Sequence, residues 1–97
     1  MATYIVLGQF TDQGVRNIQD TSQRADAAKE MATTFGAEVR DVFWTIGQYD
    51  VVLIVEAPDD KTVMALGMSF GKLGNVRTET LRAFSQAEIR EIMKKVV

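Results

Sequence analysis

Two short apolar runs, YIVL at residues 4 to 7 and VVLIV at residues 51 to 55, do not alternate with polar residues. Their β-branched and aromatic content reads as strand, and successive strand side chains point to opposite faces. Each run therefore carries hydrocarbon on both sides of the sheet that contains it. An antiparallel sheet with one face in water alternates apolar with polar instead. A chain of 97 residues has room for one core. Whatever the fold, that core can cover only one of the two apolar faces.

The other elements follow from periodicity and from the residues that interrupt it. Residues 3 to 10 form the first strand, and TDQG at 11 to 14 breaks it. From about 15 to 35 the spacing predicts one long helix. Val15, Ile18, Ser22, Ala25, Ala28 or Lys29, Ala32 and Phe35 share a face, and most are small enough for close packing on a sheet. Gly36 suits the left-handed position that stops a helix. Residues 37 to 46 alternate, with Arg40, Val42, Trp44 and Ile46 on one side and Val39, Asp41, Phe43 and Thr45 on the other. GQYD, 47 to 50, then turns the chain into VVLIVEA, a connection short enough for a hairpin.

Pro58 closes that strand, and Asp59 or Asp60 caps a helix whose core side is Val63, Leu66, Phe70 and Leu73. Met64 and Met68 are expected to fill the core at helical spacing. Gly74 ends this helix, and residues 75 to 84 make a fourth strand with Thr78, Thr80 and Arg82 on one face, opposite Arg77 and Glu79. Ser85 and Glu88 form a capping box ahead of a last helix with the apolar stripe Ile89, Ile92, Met93 and Val96. The order is β-α-β-β-α-β plus a helix. It predicts an α+β, ferredoxin-like domain over residues 1–97, with a four-stranded antiparallel sheet in a core of 3–84 and a C-terminal helix at 85–97. Both main helices cross on one side of such a sheet and leave the other bare. A second copy placed face to face, a homodimer about a two-fold axis, is the economical cover; the alternative is a monomer whose terminal helix and loops cover it.

Charge and residue content narrow the function classes. The net charge is −2 with basic residues scattered, which argues against nucleic acid or an anionic membrane surface as partner. Cysteine and histidine are both absent, so disulfides, zinc–thiolate and imidazole metal sites, thiol catalysis and a Ser-His-Asp triad are excluded. The start of the chain lacks a basic n-region and its apolar run is too short for a signal peptide or a span. A cytoplasmic protein with neither metal nor cofactor is expected.

TDQG at 11–14, GQYD at 47–50 and GNVRTETLRAFS at 74–85, with RADAAKEMATTFGAEV at 24–39, resemble the signature stretches of the GYD domain family. The likeness runs from about Tyr4 to Ser85, with the motifs in the expected order. It implies a ferredoxin-like fold of the dimeric α/β-barrel type; the family has no settled biochemical role.

Within GQYD, Gly47 can take positive φ, Asp50 can bond backbone around a turn, and Tyr49 offers a ring with a polar tip. The functional reading makes Tyr49 a proton donor and Asp50 its base. Neighbours on a strand face opposite ways, so a direct dyad is awkward and the motif reads first as a corner. The further ligand-binding candidates are Trp44 and Arg40, taken to share a strand face, with Arg77 and Thr80 on strand four, where an Arg beside Thr hydroxyls could hold a carboxylate. The bland reading is that the strand Arg and Glu residues face water or cross a dimer boundary. Arg24 has Asp20 as an i,i+4 partner, and Asp12 or Gln13 is expected to cap the first helix.

The residues favour a homo-oligomeric small-molecule-binding or assembly protein built on a face-to-face sheet dimer. The alternative is a cofactor-independent oxygenase or isomerase acting on a small aromatic or acidic substrate between the sheets, with Tyr49, Trp44, Arg40 and Arg77 in its site. A regulatory protein that docks through the C-terminal helix is the third reading.

Overall fold

Strand β1 spans Ala2–Phe10 and is followed by a short helix α1, Asp12–Arg16, a 3₁₀ turn at Ile18–Asp20 and helix α2, Thr21–Thr34, in a computed structural model of all 97 residues. Strands β2, Glu38–Trp44, and β3, Val51–Ala57, precede helix α3, Asp60–Lys72; strand β4, Val76–Ala83, and helix α4, Gln86–Met93, complete the chain. The sheet order is β2-β3-β1-β4 and every pairing is antiparallel. This is the split-βαβ, ferredoxin-like α+β topology.

Both non-alternating runs lie in the two central strands, and the register sorts their side chains. Val55 pairs with Tyr4 and Val39, and Leu53 with Val6 and Val42. These rows face α2 and α3, joining Ala32, Val63, Leu66 and Phe70 in a buried cluster of 12 residues. In the opposite direction the rows Asp41–Ile54–Ile5–Leu81 and Phe43–Val52–Leu7–Glu79 run across all four strands. No helix lies on this second face: α2 and α3 are on the first, and α4 makes no extensive packing against any strand or helix. Phe43 and Leu81 are exposed, and Ile5, Leu7, Val52 and Ile54 are half-buried only by their neighbours in the sheet.

Several expectations about local structure are corrected. The helix predicted from 15 to 35 is broken at Asn17, whose φ of −104° and ψ of 30° leave the helical region. Its first turns are capped by Thr11, not by Asp12 or Gln13, and the break turns Val15 and Ile18 out to solvent. Met64 and Met68 lie on the solvent side of α3 rather than in the core, and Leu73, just past its end, is 59% exposed. Asp59 does cap α3, accepting the Thr62 N–H at 2.8 Å and the Thr62 hydroxyl at 2.7 Å; those bonds hold its carboxyl below the usual range. The Ser85–Glu88 capping box is formed as expected.

The most consequential difference is in β2. The register shifts between Val39 and Asp41, so that Arg40 is the extra residue of a β-bulge. The bulge reverses the alternation after Val39. Val42 and Trp44 face the helices along with Val39, while Arg40 reaches Glu56 at 3.2 Å on the strand's other side. Trp44 and Arg40 therefore do not share a face. The strand stops at Trp44, so Thr45 and Ile46 belong to the corner rather than to the sheet.

Candidate functional site

The corner at residues 47 to 50 is built first from backbone. Gly47 holds a φ of +119°, which L side chains rarely adopt. The Thr45 N–H donates to the Asp50 carbonyl at 3.0 Å and the Thr45 hydroxyl to the Tyr49 carbonyl at 2.6 Å, closing the turn. Asp50 then ties the corner to the central strand. Its N–H donates to the Gly8 carbonyl, and its carboxylate accepts the Phe10 N–H, both at 2.8 Å. The Gln9 side chain adds a bond to the Gln48 carbonyl at 2.9 Å.

Tyr49 and Asp50 do not meet. The Tyr49 hydroxyl crosses over β1 to donate to Glu79 on β4 at 2.6 Å, and that bond to a carboxylate raises the phenol above its ordinary range. Glu79 is the partner that sequence reasoning missed. It lies 30 residues away, and only the register across three strands brings the two together. Arg77 lines a shallow hollow beside Asp50, Gln9 and Asp12 at this end of the sheet. Tyr49, Asp50 and Arg77 are thus gathered around one end of the uncovered face, a polar edge to a hydrocarbon centre. Arg40 sits at the far edge of the same face, paired with Glu56.

Thr80 and Trp44 are on the helix side, in two different places. Thr80 lines an open cleft beside α3 together with Met64, Met68, Tyr4 and Arg82. There the buried Tyr4 hydroxyl donates to Asp60 at 2.5 Å, and the Arg82 guanidinium lies 5.6 Å from the Tyr4 ring centre and 4.3 Å from that of Phe84. Burial, reinforced by the Asp60 carboxylate, pushes the Tyr4 phenol up to about 12.

Trp44 lines a cavity of about 240 Å³ between α2, α3 and the sheet. Its indole N–H donates to the Thr21 hydroxyl at 3.0 Å, bracing the strand's end against the start of α2. Val42, Leu53, Phe70 and Val76 supply hydrocarbon walls, and Ala25 and Ala28 keep the helical side shallow. Arg24 also lines it. Its expected Asp20 ion pair is absent; the guanidinium donates instead to the Asn17 carbonyl at 2.7 Å and the Gly14 carbonyl at 3.3 Å. The helix break at Asn17 exposes those carbonyls, a role no local pattern in the sequence signals.

No group of three or more acidic side chains is placed to hold a metal ion, and no helix is long and apolar enough to cross a membrane. The chemistry on offer is hydrophobic association at the open sheet face, with a charged and phenolic edge, and apolar binding at the helix-side cavity.

Comparison with known proteins places these features in context. The family model for the GYD domain matches residues 4–93. A protein of Thermus thermophilus, named glutamine synthetase and cystathionine beta-lyase binding protein, is 33% identical over 90 residues, covering 92% of this chain and 95% of its own. The crystal structure of TTHA0845, also from Thermus thermophilus, superimposes with a TM-score of 0.57 at 28% identity, covering 88% of this chain and 95% of that one.

Proposed function

The chain belongs to the GYD domain family, and from that premise we propose that it is a homo-oligomeric assembly protein that pairs with its own copy through the open sheet face and binds a protein partner. One observation carries the self-association: the two central rows of that face contain Ile54, Ile5, Leu81, Phe43, Val52 and Leu7, contiguous across four strands and uncovered. Transferring a side chain of this size from water contributes about 1.5–3 kcal/mol when burial is complete. A face of six such residues is an association surface rather than a solvated one. Sheets stacked face to face would set the Tyr49–Glu79 and Arg40–Glu56 pairs at the margin, where polar groups keep access to water.

A partner role draws support from the Thermus relative, whose name states that it binds two enzymes. The surfaces left free by a sheet-to-sheet dimer are α2, α3 with Met64 and Met68, and α4 with its exposed Ile89 and Met93. Methionine-rich surfaces adapt readily to a partner. Binding is favoured over an oxygenase or isomerase because the space between stacked sheets would be lined mainly by hydrocarbon. The Tyr49 phenol, raised by Glu79, is also a weak proton donor near neutral pH.

Sedimentation velocity tests both parts. At micromolar concentration the wild-type chain sediments at a multiple of its 10.8 kDa mass. Ile54→Lys, which puts a charge at the centre of the face, returns it to a folded monomer. Added glutamine synthetase or cystathionine β-lyase shifts the wild-type boundary. A wild-type monomer with that face wet overturns the self-association, and an unshifted boundary with both enzymes overturns the choice of partner.

A further inference from the structure

We propose that the helix-side cavity is a binding site for a small aromatic or branched aliphatic carboxylate, independent of the sheet face and of any second copy. Size comes first. About 240 Å³ exceeds what a single benzene ring occupies and leaves room for a short substituent. The hydrocarbon lining comes from Val42, Leu53 and Val76 on the sheet and Phe70 on α3. Opposite the sheet α2 presents Ala25 and Ala28, where a larger side chain would have filled the space.

The rim is tied together by contacts that the sheet face does not need. The Thr11 hydroxyl donates to the Gly74 carbonyl at 2.5 Å, and Gln13 donates to the Leu73 carbonyl and the Asn75 side chain, each at 3.1 Å. Gly14 packs so closely on Asn75 that a Cβ there would stand 2.1 Å from the Asn75 carbonyl oxygen. Trp44 is braced by Thr21 on the other side. A preformed apolar cavity with a few fixed polar groups is the usual form of a small-molecule site.

Charge selects the ligand. Arg24 is the one charged residue among those lining the cavity, and no carboxylate lines it. Its two bonds to carbonyls use two of the five guanidinium N–H groups and leave three for an acceptor. The hydroxyls of Thr21 and Thr78 and the Asn75 amide lie on the same lining. Ring or branched chain against the hydrocarbon walls and carboxylate toward Arg24 is the arrangement that matches this lining.

Trp44 is the only tryptophan in the chain and stands in the cavity wall, so its fluorescence reports occupancy. Phenylacetate is the probe and phenylacetamide, the same shape without the charge, its control. Phenylacetate is expected to change Trp44 emission saturably and to bind at least about tenfold more tightly than the amide, the gain of a charge-assisted bond. Ala28→Leu, which fills the cavity from α2, abolishes the response while the variant keeps or gains thermal stability. In Ile54→Lys, with the sheet face disrupted, phenylacetate still binds. No saturable change with phenylacetate, a response that survives Ala28→Leu, or an amide that binds as tightly overturns the proposal. Should Ala28→Leu fail to fold, Ala25→Leu makes the same test from the preceding turn.

Discussion

Tyr4 is a phenol that the fold keeps neutral. It is 2% exposed and donates to Asp60, and burial together with that carboxylate pushes its pKa from 10 up to about 12. Because the folded state raises this pKa, the associated stability is complete below pH 10 and is lost as pH climbs through 12. Alkaline unfolding followed by circular dichroism should therefore show a loss of stability between pH 10 and 12 that Tyr4→Phe removes. At neutral pH the same variant should cost about 1 kcal/mol, the net value of the lost hydrogen bond, since Asp60 is exposed and rehydrates. Asp50 and Gly47 were legible as corner residues from their chemistry alone. Glu79 and Arg24 were not: each acts on an atom brought near by the chain's path, one through sheet register and the other through a helix break.

Among the elements, the segment from Thr11 to Thr34 shows how a continuous apolar period can mislead. Val15 and Ile18 fit the helical face of the residues beyond them, yet the chain breaks at Asn17. The break accompanies a close tertiary contact, in which α1 packs Gly14 onto Asn75 just before β4. Gly14→Ala forces that contact apart and is expected to lower stability by about 1–3 kcal/mol in chemical denaturation. In β2 the hydrophobic pattern is carried by Val39, Val42 and Trp44, a spacing that only a bulge reconciles with one face. Read as strict alternation, it puts Arg40 beside Trp44. The bulge separates them, one to each side of the sheet. By contrast, the core positions Val63, Leu66 and Phe70 of α3 and the caps of α3 and α4 were readable, because caps and i,i+3/i+4 stripes are local.

For the whole molecule, the Cα extents of 50 × 30 × 18 Å describe one layer of helices on one sheet, drawn out along the long axis. An α4 of eight residues without extensive packing is too short to be stable by propensity alone. Its Ser85–Glu88 box and the Lys94–Glu91 pair at 3.2 Å hold it locally, and Arg82 reaches Glu88 from β4 at 3.5 Å. If self-association covers the open face, folding and assembly are linked, and the thermal midpoint rises with protein concentration. Calorimetry across a hundredfold dilution, roughly the range in which mass action moves such a midpoint, should show this for the wild type and not for Ile54→Lys. A midpoint independent of concentration in the wild type would count against the linked assembly.

The order of the strands and main helices, the caps of α3 and α4, the glycine stops, and the hydrocarbon on two faces of the central strands were readable from the amino acids in order. Those properties depend on residues a few positions apart, so local spacing carries them. The motifs also led to the family. Packing in three dimensions was needed to establish which side chains share a face after the bulge, that Tyr49 answers to Glu79, and that α4 leaves the sheet bare. The cavity that opens beneath α2 beside Arg24 belongs with these. Each depends on where distant segments come to rest against one another, and no short-range pattern encodes that placement.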